Sequence, residues 1–247
     1  MGDVGLLLVG AVLFVNGLAS LGVVRGRSVA PLNFLVGGAQ VLLPVLVLVQ
    51  GSSDPAVVQG AWPSLLFGFT YLWYGLIVQR DLETEGFGWY SLFVAGIAAL
   101  HAVQAVGTDP VFAVIWATWS SMWLLFFVLL GLGRTQVGSL DLGRFTGWYL
   151  VLLGIPTCTV PALLLLEGRW TTGPTAGWAA LAALGAAAVA SAALARRPAA
   201  GREVESPQPD VAHGTAHGTA PDTAPDSTQD TATWTAPEAR QPVTSAV

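Results

Sequence analysis

Lysine is absent from the 247 residues, so arginine supplies all ten basic side chains. Without a lysine there is no amine for a Schiff base, which excludes a retinal-type receptor. Charged residues make up only 10% of the chain, where soluble domains carry about a quarter. A surface facing water on all sides cannot be built from so few charges, and no basic patch points to nucleic acid. Cysteine is also nearly missing. Cys158 stands alone in an apolar segment, so an intrachain disulfide is impossible and no CxxC pair suggests redox or metal chemistry. It has no evident histidine partner, and reads as a small packing residue. No catalytic, cofactor or metal site is expected, and the chain does not read as an enzyme.

What is abundant is hydrocarbon, with 53% of residues in the hydrophobic set. Apolar runs at about 4–24, 29–50, 61–79, 88–107, 111–133, 145–166 and 175–195 are each long enough to cross roughly 30 Å of bilayer. The fold class expected is therefore an all-α polytopic membrane protein. Asp3 stands where a cleavable signal would carry basic residues, so the first run is read as a retained helix. Pro31 falls in a first turn and is tolerated there. Pro44, Pro156 and Pro161 are internal and are expected to bend or open their helices.

Arginine placement sets the topology. Arg25, Arg27, Arg80, Arg134, Arg144, Arg196, Arg197 and Arg202 fall on one side of a seven-span arrangement, and Arg169 lies at a boundary on the other. The positive-inside rule then puts the N-terminus outside and the end of span seven in the cytoplasm. Span seven, WAALAALGAAAVASAALA, is rich in alanine and suited to close helix packing. Beyond residue 200 the chain is Pro-, Thr-, Ala- and Asp-rich with an AHGTAHGTA repeat, which predicts a disordered tail. His213 and His217 in that repeat read as linker residues rather than a metal site.

The first six spans hold no evident deep acid or base, which argues against an ion-coupled pump. His101 is the exception; it sits one turn from Gln104 and is expected to hydrogen-bond locally. In span one Leu6, Val9, Leu13 and Asn16 share a face. The Asn16 amide needs a partner in hydrocarbon, either another helix or a wet passage. Span three places Phe67 and Tyr71 one turn apart. Span five reads FAVIWATWSSMW over residues 112–123, with Trp116, Trp119 and Trp123 at i, i+3 and i+7. Interfacial tryptophans gather near span ends, yet Trp123 lies deep. The stripe fits either a packing seam or the wall of a narrow conduit that strips water from a small neutral solute.

VNG at 15–17, NFLVGG at 33–38, LLFGFTY at 65–71, WYSLFVA at 89–95, LGRFTGW at 142–148 and PALLLLEGRW at 161–170 accompany the tryptophan series. In order and spacing these resemble the AmiS/UreI family of urea channels and short-amide transporters. The resemblance implies a six-helix channel domain over 4–170; the additional transmembrane helix read at 175–195 and the disordered cytoplasmic tail over 200–247 lie outside that six-helix pattern. It implies a homo-hexameric ring with one solute pathway per protomer. It also implies pathway residues Leu13, Asn16, Phe67, Tyr71, Phe112, Trp116, Trp119, Met122 and Trp123, forming two constrictions with ring-borne donors and Asn16 guiding the amide. Phe112 and Met122 replace the Trp and Leu of the acid-gated urea channel, and Leu153 stands where that channel has an intramembrane glutamate. Residues 51–60, GSSDPAVVQG, lack its long histidine-containing loop, so acid gating is not expected.

The reading is a passive channel for urea and short aliphatic amides in a bacterial inner membrane, feeding a cytoplasmic amidase or urease. A proton- or ion-coupled amide transporter and a seven-helix sensor without transport are the alternatives.

Overall fold

The computed structural model describes residues 2–51 and 54–196. The tail expected over 200–247 lies outside the described residues, as do His213 and His217. Helix α1 (Gly2–Ser20) turns at Gly22, φ +74°, into a 3-10 turn (Gly26–Val29) and α2 (Ala30–Gly51). Next come α3 (Pro55–Ala61), α4 (Pro63–Arg80), α5 (Glu85–Ala105) and α6 (Pro110–Phe126), the last extended by a π-helical turn, Phe127–Gly131. A two-residue antiparallel ribbon, β1 (Gln136–Val137) with β2 (Leu140–Asp141), precedes α7 (Leu142–Gly154). A second π turn, Ile155–Thr159, leads to α8 (Val160–Leu166), and α9 (Pro174–Ala195) follows.

Taken as continuous spans, seven of these segments are long and apolar enough to cross a bilayer. The chain is an all-α polytopic membrane protein, the short ribbon being its one departure among the described residues. Span boundaries differ from expectation where caps decide them. Span one stops at Ser20 rather than residue 24 because Gly22 takes a left-handed conformation. Span three starts at Pro55, six residues early, because Asp54 Oδ1 accepts Ala56 N–H at 2.8 Å and Pro55 occupies the first turn.

The internal prolines behave differently from one another. Around Pro156 and just before Pro161 the backbone slips into the π turn, and Thr157 Oγ1 donates to Leu153 O at 2.6 Å. At Pro44, by contrast, α2 continues as one helix. Packing places α1 against α2, α7 and α8, α2 against α4, α5 against α6, and α9 on α6 and α7. Gly17 faces Gly147, and Gly37 faces Gly68, so that these backbones approach without intervening side chains. In hydrocarbon, where burial from water supplies no force between helices, such close contact is what holds the bundle.

Candidate functional site

The site begins with the start of α6. Asp109 Oδ1 accepts the Phe112 N–H at 3.0 Å and Pro110 pre-sets the first turn, which fixes the register of the aromatic series that follows. Asp109 Oδ2 also accepts from Trp170 Nε1 at 2.7 Å, and the Trp170 ring lies 4.9 Å from Phe112. The loop after α8 thereby holds Phe112 in place. Deeper in, Phe67 of α4 is the common neighbour of all three tryptophans. Its ring centroid lies 5.8 Å from Trp116, 5.6 Å from Trp119 and 6.0 Å from Trp123, the last nearly parallel at 9°. Such offset and edge contacts are mutually attractive and define ring orientation. Trp119 Nε1 donates to Thr157 Oγ1 at 3.1 Å. That indole N–H is therefore committed to the α7–α8 turn rather than to a solute.

These rings wall a cavity of about 350 Å³, a size suited to a small-molecule site. Of the expected pathway residues, Leu13, Phe67, Tyr71, Phe112, Trp116, Trp119, Met122 and Trp123 all line it, and Leu6 and Val9 continue the α1 face. Asn16 lines a second cavity of about 20 Å³, together with Ser20, Thr70 and Tyr74, with room for roughly one water. Leu13, Tyr71 and Trp123 border both spaces. They form a septum of three buried side chains between a wide aromatic chamber and a narrow polar one.

Asn16 finds the partner its burial demands. Its Nδ2 donates to Asn33 Oδ1 at 2.9 Å, and Asn33 Nδ2 donates back at 2.7 Å while also reaching Val29 O at 2.9 Å. This reciprocal carboxamide pair ties α1 to α2 and leaves Asn16 one N–H and one lone pair for the small cavity. Asn33→Leu is expected to strand the Asn16 amide and cost about 1–2 kcal/mol, read as a lower melting temperature in detergent. The double variant Asn16→Leu/Asn33→Leu is expected to recover most of that loss, since neither amide is then left alone.

Several residues that meet the wide chamber were not apparent from motif reading: Gln40, Gln59 and Ser64 all line it. Gln40 is a lone polar residue in an apolar run, the signal that identified Asn16, whereas Gln59 falls in the 51–60 segment and Ser64 at the start of the third run. His101 lines it as well. Its Nδ1 lies 3.0 Å from Ile97 O, the local bond expected, and its ring sits 4.6 Å from Trp116 and 5.3 Å from Trp62. The other nitrogen, Nε2, is buried without a partner among the described residues.

Comparison with known proteins gives the geometry its context. The profile of the AmiS/UreI family transporter matches residues 1–169. A transporter protein of Rhodococcus erythropolis, AmiS2, is 49% identical over 204 residues, covering 80% of this chain and 97% of its own. An amidate substrates transporter protein of Mycolicibacterium smegmatis is 45% identical over 85% of this chain and 96% of its own. The acid-activated urea channel of Helicobacter pylori is 33% identical over 67% of this chain and 97% of its own. Its crystal structure and its closed-state cryo-electron microscopy structure each superpose with a TM-score of 0.61 at 32% identity, covering 69% of this chain and all of theirs.

One expectation is corrected by these matches. A pore without acid gating was argued from Leu153 and the short 51–60 segment, yet relatives that match over nearly their whole length are acid-activated channels. One loop and one side chain do not outweigh that likeness. The loop argument also left out His101, whose unpartnered nitrogen meets the chamber inside the span.

Proposed function

Because the chain belongs to the AmiS/UreI transporter family, we propose that it is a passive membrane channel for urea and short aliphatic amides. The observation that carries this is the aromatic chamber itself. Residues expected from span faces and family motifs line one cavity, with Asn16 in the small space beyond its septum. Below Asp3, in the first turn of α1, no carboxylate or guanidinium lines it among the described residues. A narrow apolar slot of this kind rejects hydrated ions and lets a neutral solute exchange water for a few polar contacts. The pathway runs from the chamber past Leu13, Tyr71 and Trp123 to the Asn16 cavity.

Six copies form the ring, each with its own path, with the N-terminus outside and the arginine-rich connections in the cytoplasm. The solute is delivered to a cytoplasmic amidase or urease. Orientation is checked by labelling single cysteines placed in the α1–α2 and α8–α9 loops of a Cys158→Ala background. Native mass spectrometry counts the copies. Passivity is tested with radiolabelled acetamide in proteoliposomes. The internal concentration should rise to the external one and stop there, with or without an imposed proton gradient. Accumulation beyond it that collapses with an uncoupler would overturn the passive reading.

The likeness to acid-activated urea channels supports acid sensitivity, and His101, whose Nε2 meets the chamber without a partner among the described residues, is the side chain to test. Flux of urea is expected to rise from pH 7.5 to pH 5 and the rise to vanish in His101→Phe. A rise that persists in the variant would exclude His101 as its source.

A further inference from the structure

Gln40 lies two turns beyond Asn33 on α2, on the same face, and is 4% exposed. Asn33 is closed by Asn16, but Gln40 meets no carboxamide across the helix pair. Opposite it on α1 stands Gly5, and a Cβ there would fall 2.5 Å from Gln40 Oε1. Glycine at that position leaves the space in which the Gln40 amide rests. The side chain lines the wide chamber and also a neighbouring space of about 250 Å³, sharing Gly2, Gly60 and Ser64 between the two. Its carboxamide makes no hydrogen bond to another described residue. It opens instead onto the two spaces it lines, where its donor and acceptor are free to meet a solute.

The partner chemistry is displayed in the same helix pair. Asn16 and Asn33 satisfy one another through two reciprocal N–H···O bonds. A primary carboxamide or urea entering the chamber carries the donor and the acceptor in that same arrangement, and its short alkyl group can lie against Phe67 and Trp116. We propose that Gln40 is the specificity-determining residue of the wide chamber, pairing reciprocally with the carboxamide group of the solute. This rests on the channel reading and adds the subsite at which an amide is told from other small neutral molecules. A diol or alcohol of similar size can satisfy only part of the Gln40 amide, so it gains less on entry. Release toward the septum stays easy because two neutral hydrogen bonds replace two lost to water.

The test uses full-length protein in liposomes and measures concentration-dependent flux of acetamide, urea and ethylene glycol for wild type, Gln40→Met and Gly5→Ala. Gln40→Met keeps length and removes the amide; Gly5→Ala keeps the amide and pushes it from its place. Both variants are expected to raise the half-saturating acetamide and urea concentrations about tenfold, with ethylene glycol flux unchanged. Agreement of both variants, each eluting as the wild type does on size exclusion, separates loss of the subsite from misfolding. Wild-type flux well above empty liposomes with acetamide saturation unaltered in Gln40→Met would overturn the Gln40 assignment and leave the channel intact. Wild-type flux equal to empty liposomes would overturn the channel reading itself, and the subsite with it.

Discussion

Leu13→Trp is expected to bring urea and acetamide flux down to the rate of protein-free liposomes. Leu13 is 4% exposed and borders both cavities, so whatever passes from the chamber to the Asn16 side must pass it. The space beyond is about 20 Å³, enough for roughly one water and far too little for an added indole plus a solute. Its neighbours offer no slack: Tyr71 and Trp123 complete the septum, and Trp123 is stacked on Phe67. Overpacking of this sort costs about 1–3 kcal/mol, so the variant should remain folded while closed. Leu13→Ala makes the opposite change. It should speed flux and weaken discrimination against larger amides, because the septum loses one of its three side chains. Stopped-flow reswelling reads both.

Gly88→Ala should damage the fold more than any change at the chamber. In α5, Gly88 lies directly on the backbone of Gly131, the last residue of the π turn that extends α6, and a Cβ would collide with Gly131 N and Cα. Side-chain rotation cannot relieve a clash with backbone. The α5 and α6 segments would have to separate, and they are the two helices that carry His101 and the tryptophan series. A loss of about 3 kcal/mol is expected, lowering the melting temperature in detergent by roughly 6–12 °C. Gly96→Ala, on the same helix but with open space beside it, should be neutral or slightly stabilising. Equal melting temperatures for the two variants would contradict this packing.

The helices were readable because each must satisfy its own backbone in hydrocarbon, which makes length and apolarity sufficient signals. The faces that line the chamber were readable for a related reason: Phe67 and Tyr71, the three tryptophans, and Leu13 with Leu6 and Val9 recur at three- and four-residue steps, so each helix reports one stripe. Which stripes meet is a different matter. Asn16 announced that it needed a partner, but only the juxtaposition of α1 with α2 identifies Asn33. Trp119 looked like a solute donor until the π turn brought Thr157 beneath it. That turn has no hydrophobic period of its own; Pro156 and Pro161 mark the weakness, and Pro44, of the same residue type, leaves α2 unbroken. Gln40 was passed over because its meaning depends on a missing Cβ at Gly5, thirty-five positions away.

The central claim is that the aromatic chamber conducts small neutral amides. Its most direct test is osmotic reswelling of proteoliposomes followed by stopped-flow light scattering, with urea, acetamide, propionamide and glycerol at pH 5 and 7.5 against empty liposomes. Urea or amide flux well above the control, saturating with concentration and reduced in Trp119→Ala, is the result predicted. Rates equal to the control for every solute at both pH values, from protein that elutes as a folded species, would contradict it.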